Sequence, residues 1–121
     1  MLVTPITLTH DGMDLSLTQG RPYEVLGIES DHYRLLVDEN QSWKPNEPFL
    51  FHPSCFAIID PTPPTFWVCE KGTEGERYCY PKEWFRVGYF EDFHDGVKDV
   101  CEGFWKDLKR LYPFSAAQRK L

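Results

Sequence analysis

The chain contains no apolar run approaching the ~20 residues that a membrane-crossing helix needs, so no bilayer span is expected. Its opening, MLVTPITLTHDG, carries neither a basic stretch nor a continuous apolar one. No secretory signal is therefore expected, and the default location is the cytoplasm. Metal-binding spacing is also lacking. The four cysteines, at 55, 69, 79 and 101, include no C-x-x-C pair, and the histidines at 10, 32, 52 and 94 are scattered. His52 and Cys55 alone stand close together, and one such pair falls short of a zinc site. We expect no metal, no other cofactor, and four reduced thiols; metal binding and structural disulfides are the alternatives. There is no G-x-G-x-x-G, P-loop, G-x-S-x-G or H-E-x-x-H. No spacing forces a base beside a nucleophile, so the expectation is a protein that is not an enzyme.

Basic residues are scarce in one half of the chain. Residues 1–60 hold nine acids and three bases, whereas residues 61–121 hold ten of each. The whole net charge of −6 thus lies in the first half. A nucleic-acid backbone calls for a basic surface, so nucleic acid is not an expected partner. An acidic surface suits a basic protein partner, because complementary fields speed encounter. Ordinary solubility is the plainer explanation of the same charge.

At 121 residues the chain is the size of one domain, large enough to bury a core without staples. The stretch GRPYEVLGIESDHYRLLVDE, from Gly20 to Glu39, reads as a β-hairpin turning at Ser30 and Asp31. That register opposes Ile28 to Tyr33, Gly27 to Arg34, Leu26 to Leu35 and Val25 to Leu36. Gly27 inside a strand marks a bulge or sharp bend. Before it, Pro5 confines any strand over residues 1–9 to an edge, and His10 to Gly12 form a turn. After it come a loop over DENQSWKPNEP, a short strand at FLF, a turn at HPSC and a strand at FAIID. PTPP at 61–64 then marks a boundary or stiff linker.

The second half begins with a hairpin, FWVCEK and ERYCY around GTEG. A four-residue loop opposes Glu70 to Arg77 and Lys71 to Glu76, two attractive pairs, and sets Cys69 against Tyr78. PKEWF reads as one helical turn, and YFEDF as a lead-in. The clearest helix follows, with Val97, Val100, Cys101, Phe104, Trp105, Leu108, Leu111 and Tyr112 at helical spacing. Asp95 is its expected N-cap and Pro113 its stop, and SAAQRKL a frayed tail. The stripe reads as core, with Trp105 buried in it; a groove-filling face for a partner is the alternative.

The fold class expected is therefore α+β. A small antiparallel barrel over residues 1–60 is followed by a hairpin and a C-terminal amphipathic helix over 61–121, packed on the barrel as one compact unit. The aromatic excess of Trp43, Trp67, Trp84, Phe85, Tyr89, Phe90 and Phe93 either anchors a partner or seals the junction of barrel and helix. The residues singled out for partner binding are Glu29 and Asp31 at one turn, Asp38 and Glu39 at another, Glu91 and Asp92 further on, and Trp43 and Trp84 as anchors.

The run LTQGRPYEVLGIESDHYRLLVDE, then FHPSCFAIID, resembles the small SH3-like barrels of many short bacterial proteins. WVCEKGTEGERYCYPKEWFRVGYFEDFHDG is similar to the segment that follows the barrel in the same group. The resemblance covers most of residues 17–111, departs in the bulky loop NQSWKPNEP, and brings no catalytic residue. Proteins of this kind are often encoded beside interbacterial toxins, as cytoplasmic immunity proteins. The resemblance thus implies a protein that binds and blocks a toxin, with a basic toxin domain as its partner. A housekeeping or regulatory adaptor whose barrel binds a peptide is the second expectation.

Overall fold

A computed structural model describes residues 1–38 and 47–119. The central hairpin forms as its turn chemistry dictates. Strands β5 (Gly27–Glu29) and β6 (His32–Leu36) meet at Ser30 and Asp31, whose φ angles are 50° and 65°. Two consecutive left-handed residues make the tight turn that matches strand twist. Ile28 faces Tyr33 and Gly27 faces Arg34, as expected. The ladder then stops. The Leu26 amide also reaches the Arg34 carbonyl at 2.9 Å, so two residues oppose one and the strand bulges. The expected Leu26–Leu35 and Val25–Leu36 pairs are absent for that reason. The bulge swings β4 (Tyr23–Glu24) out of this sheet and onto β1 (Leu2–Pro5).

The fold is α+β, with antiparallel sheets and three α-helices among the described residues. One sheet runs β4-β1-β8, with β8 at Phe56–Asp60. A five-stranded sheet runs β7-β6-β5-β10-β9, with β7 at Pro48–Phe51, β9 at Trp67–Lys71 and β10 at Arg77–Pro81. A small hairpin, β2 (Thr9–His10) with β3 (Met13–Asp14), stands apart. The expected single barrel is corrected here: the described strands form separate sheets and do not close. Strand β1 is corrected too. It lies in the middle of its sheet, because Pro5 is its last residue and a terminal position spares the missing N–H. Beyond the prolines at 61–64, β10 pairs with β5, so the two halves of the chain share one sheet.

The second hairpin takes a different register from the one charge pairing favours. Gly75 sits at φ +80°, the Gly75 amide bonds the Gly72 carbonyl at 3.1 Å, and the Gly72 amide bonds Glu76 at 2.8 Å. That is a three-residue loop closed by a left-handed glycine. It slides the strands by one residue, opposing Lys71 to Arg77, Glu70 to Tyr78 and Cys69 to Cys79. The expectation of four free thiols is therefore overturned. Cys69 and Cys79, with Cα atoms 4.2 Å apart, form a disulfide, and Cys55 and Cys101 remain free.

YFEDF is itself helical, forming α1 (Tyr89–His94). Asp95 closes α1 instead of capping the next helix, donating its amide to Glu91 at 2.9 Å. Gly96, at φ +75°, then turns the chain into α2 (Lys98–Leu111). Of the apolar stripe, Phe104, Leu108 and Tyr112 are buried, Trp105 is half-buried, and Val97 is 43% exposed. Pro113 does end α2, but it also starts α3 (Pro113–Gln118), since proline suits a first helical position. The tail is thus ordered through Arg119. Ser115 donates its amide and hydroxyl to Glu24 Oε1 at 3.2 and 2.9 Å, and Arg119 Nη2 donates to the Val37 carbonyl.

Two cores result. The first, between the sheets, holds Val3, Val25, Ile28, Tyr33, Leu35 and Phe56. The second lies between the five-stranded sheet and the helices, and consists mainly of rings. Trp84 is its centre, stacked on Phe104 at 4.7 Å and Tyr112 at 5.5 Å. Its indole N–H donates to Asp107 at 3.1 Å. Tyr112 ties the layers together: it donates to the Leu26 carbonyl at 2.7 Å and accepts from the Trp67 indole at 2.8 Å.

Candidate protein-binding groove

Directly opposed residues on neighbouring strands share a sheet face. Glu29 on β5 opposes Tyr78 on β10, and Tyr78 opposes Glu70 on β9. The three form a row across the five-stranded sheet, and Tyr80, two residues on from Tyr78, lies on the same face. After β10 a 3-10 turn over Lys82–Trp84 drops Trp84 into the core. The chain then returns above the sheet as Phe85, Arg86 and Val87. Gly88, at φ +85°, makes the bend that starts α1. A cleft of about 420 Å³ is left between the sheet row and the segment Phe85 to Glu91. Its walls are Glu29, Glu70 and Tyr78 on one side and Phe85, Val87 and Glu91 on the other. Val87 stands fully exposed at the rim.

The floor is a buried cation against a ring. The Arg34 guanidinium is almost completely buried, lying 4.0 Å from the centroid of the Phe90 ring. It donates to the Tyr80 hydroxyl at 3.0 Å and to Glu29 Oε1 at 3.1 Å, and the Tyr80 hydroxyl donates to the same carboxylate oxygen at 3.0 Å. A buried cation paired and stacked in this way is a stable arrangement, because its desolvation is offset by hydrogen bonds and by the ring face. Burial also pushes the Tyr80 phenol well above its ordinary value, so it stays a neutral donor. Gly27 underlies this cluster. A Cβ there would overlap the Tyr80 ring and come within 2.9 Å of the Cys79 carbonyl.

The residues expected to bind a partner are distributed unevenly. Glu29 is in the groove wall and Glu91 at its rim. Asp92, beside the groove, pairs with Arg86 at 2.9 Å. Trp84 is 1% exposed and lies beneath the groove, offering no surface to a partner. Asp31 is at the hairpin turn, where the Arg77 amide and guanidinium hold its carboxyl below the ordinary range. Asp38 is corrected: it is 7% exposed, not displayed at a turn. It accepts from the hydroxyls of Thr18 and Tyr23, each at 2.6 Å, and from Arg21 at 3.1 Å. Those three donors cluster in the segment that leads into β4, which draws the carboxylate inward. Glu39 and Trp43 lie outside the described residues.

Sequence reasoning missed Arg34, Glu70, Tyr78 and Tyr80; Phe85, one of the excess aromatics, does line the cleft. Charge pairing opposes Glu70 to Arg77, a register that neutralises it. The observed slip leaves it beside a ring instead. The signal available was the Gly at the third loop position of T-E-G. The Cys69–Cys79 bond lies on the opposite face of the same strands, Cys79 reaching into the first core. Among the described residues no group of three His, Cys, Asp or Glu side chains is placed to hold a metal ion, and no helix is long and apolar enough to cross a membrane. Compared with known proteins, the chain matches no protein-family model, no curated protein and no solved structure.

Proposed function

We propose that the protein is a non-enzymatic binding protein that engages a basic protein partner through the groove over β5, β10 and β9. The observation that carries this reading is the composition of that groove: Glu29, Glu70 and Glu91 stand among Tyr78, Phe85 and the exposed Val87. Aromatic and apolar contact supplies affinity, and carboxylates supply steering and register. An immunity protein that occludes a toxin is the role this chemistry suits, following the resemblance drawn from the sequence. An SH3-like arrangement of residues 1–60 belongs to the same reading. It is supported by the bulge at Leu26 and Gly27, which passes one chain segment between two sheets, and by the 3-10 turn Pro53–Cys55 that precedes β8.

A cytoplasmic site of action requires Cys69 and Cys79 to be reduced in cells, since cytosolic thiols are kept so. Labelling thiols in quenched cells measures this directly. The function itself is tested by partner capture from the native host, followed by association rates at several ionic strengths. Glu70→Lys with Glu91→Lys should slow association and leave the thermal midpoint near wild type, because both residues are exposed. A rate insensitive to salt, or unchanged by the double substitution, would remove the groove from the reading.

A further inference from the structure

We infer that the groove receives an arginine side chain of the partner; this rests on the partner-binding reading and names the group that binds. The molecule itself displays the chemistry. The Arg34 guanidinium lies against the Phe90 ring at 4.0 Å and donates to the Tyr80 hydroxyl and to Glu29 Oε1. One layer further out the same ingredients recur without a cation. Tyr78 and Phe85 present half-buried rings to the cleft. Glu70 and Glu91 are exposed, and neither forms an ion pair among the described residues. Glu29 offers its second oxygen, since both of its hydrogen bonds fall on Oε1.

The groove's own cation does not supply the missing charge. Arg86 is committed to Asp92 at 2.9 Å and lies 5.4 Å from the Tyr89 ring. Arginine fits the outer layer better than lysine. Its planar guanidinium stacks on rings and forks onto two carboxylate oxygens at once, whereas an ammonium is a strongly hydrated point charge. A cleft of about 420 Å³ is also within the size range of small-molecule binding sites, ample for one side chain.

The test is an NMR titration of the whole chain with N-acetyl-arginine amide, against N-acetyl-citrulline amide, its neutral isostere. Saturable shifts should appear at Glu29, Glu70, Tyr78 and Glu91. Citrulline should bind roughly tenfold more weakly, the scale of one charge-assisted ring contact. Glu70→Gln with Glu91→Gln should weaken arginine binding several-fold at an unchanged thermal midpoint. Absence of saturable shifts, equal binding of citrulline, or shifts centred away from the groove would overturn the assignment. If a native partner is captured through the groove while the arginine amide fails to bind, this inference falls and the partner-binding reading stands. If charge substitutions in the groove leave partner capture untouched, the broader reading falls instead.

Discussion

Val25 and Leu26 are neighbours in the chain, both fully buried, and they belong to different cores. Val25 packs between the sheets, where position along a strand decides which face a side chain occupies. Leu26 packs among rings drawn from Tyr80 to Tyr112. The first core is held by register, and a slip of one residue would turn its members outward. The second is held by ring geometry around Trp84, whose ring neighbours come from α1, from α2 and from Tyr112 where α2 meets α3. Strand alternation builds the first core in short steps. The second exists only once the helices have docked.

Trp84→Ala strikes the second core at its centre and should have the largest effect. It removes a fully buried indole and leaves Asp107 Oδ2 without the indole donor. A loss of about 3–5 kcal/mol in chemical denaturation is expected. Trp105→Ala, on the same stripe but half-buried, should cost clearly less, and equal losses would contradict the central place given to Trp84. Next comes the disulfide that staples the edge of the five-stranded sheet. Unfolded, unreduced protein should titrate two thiols, and reduction should cost about 2–3 kcal/mol for a loop this short. A count of four would restore the register that pairs Glu70 with Arg77.

Gly27→Ala tests the boundary between the two cores. The added methyl displaces Tyr80 from Arg34 and Glu29, and a loss of about 1–3 kcal/mol is expected, with weaker binding in the groove. The smallest effect belongs to Asp31→Asn. Arg77 depresses the carboxyl, so its stabilisation is present above the ordinary value of 3.8 and is lost as pH falls through the folded value. The variant should therefore have a slightly lower thermal midpoint at neutral pH, and the gap should close in acid.

The contrast between the cores also explains what could be read without coordinates. The hairpin turn at Ser30 and Asp31, the strands at Pro48–Phe51 and Phe56–Asp60, and the helix Lys98–Leu111 follow from local chemistry, so periodicity and turn residues betray them. The bend at Gly27 was visible as a glycine inside a strand, but its cause, a tyrosine from β10, is 53 positions away. Glu29 and Glu91 were legible as surface acids. Their meeting beside Tyr78 was not, because it depends on β10 crossing back to β5 and on Gly75 setting a register that charge pairing argues against. Asp38 misled for a related reason: a turn-forming residue next to a polar loop gives no sign of the three donors waiting for it at 18, 21 and 23.

The tyrosines that knit these layers carry one more consequence, which appears only in strong base. Burial raises the phenols of Tyr80, Tyr89 and Tyr112 above the usual 10.0, and that of Tyr23 to about 12. Once unfolded, all four would ionise near 10.0. From that pH upward the unfolded chain sheds protons that the folded chain keeps, so stability present below pH 10.0 is lost progressively above it. Ionisation of these four rings should then be a property of the whole fold. Phenolate absorbance from them should rise in a single cooperative step that coincides with loss of far-ultraviolet ellipticity, four protons leaving together as the sheets and helices part.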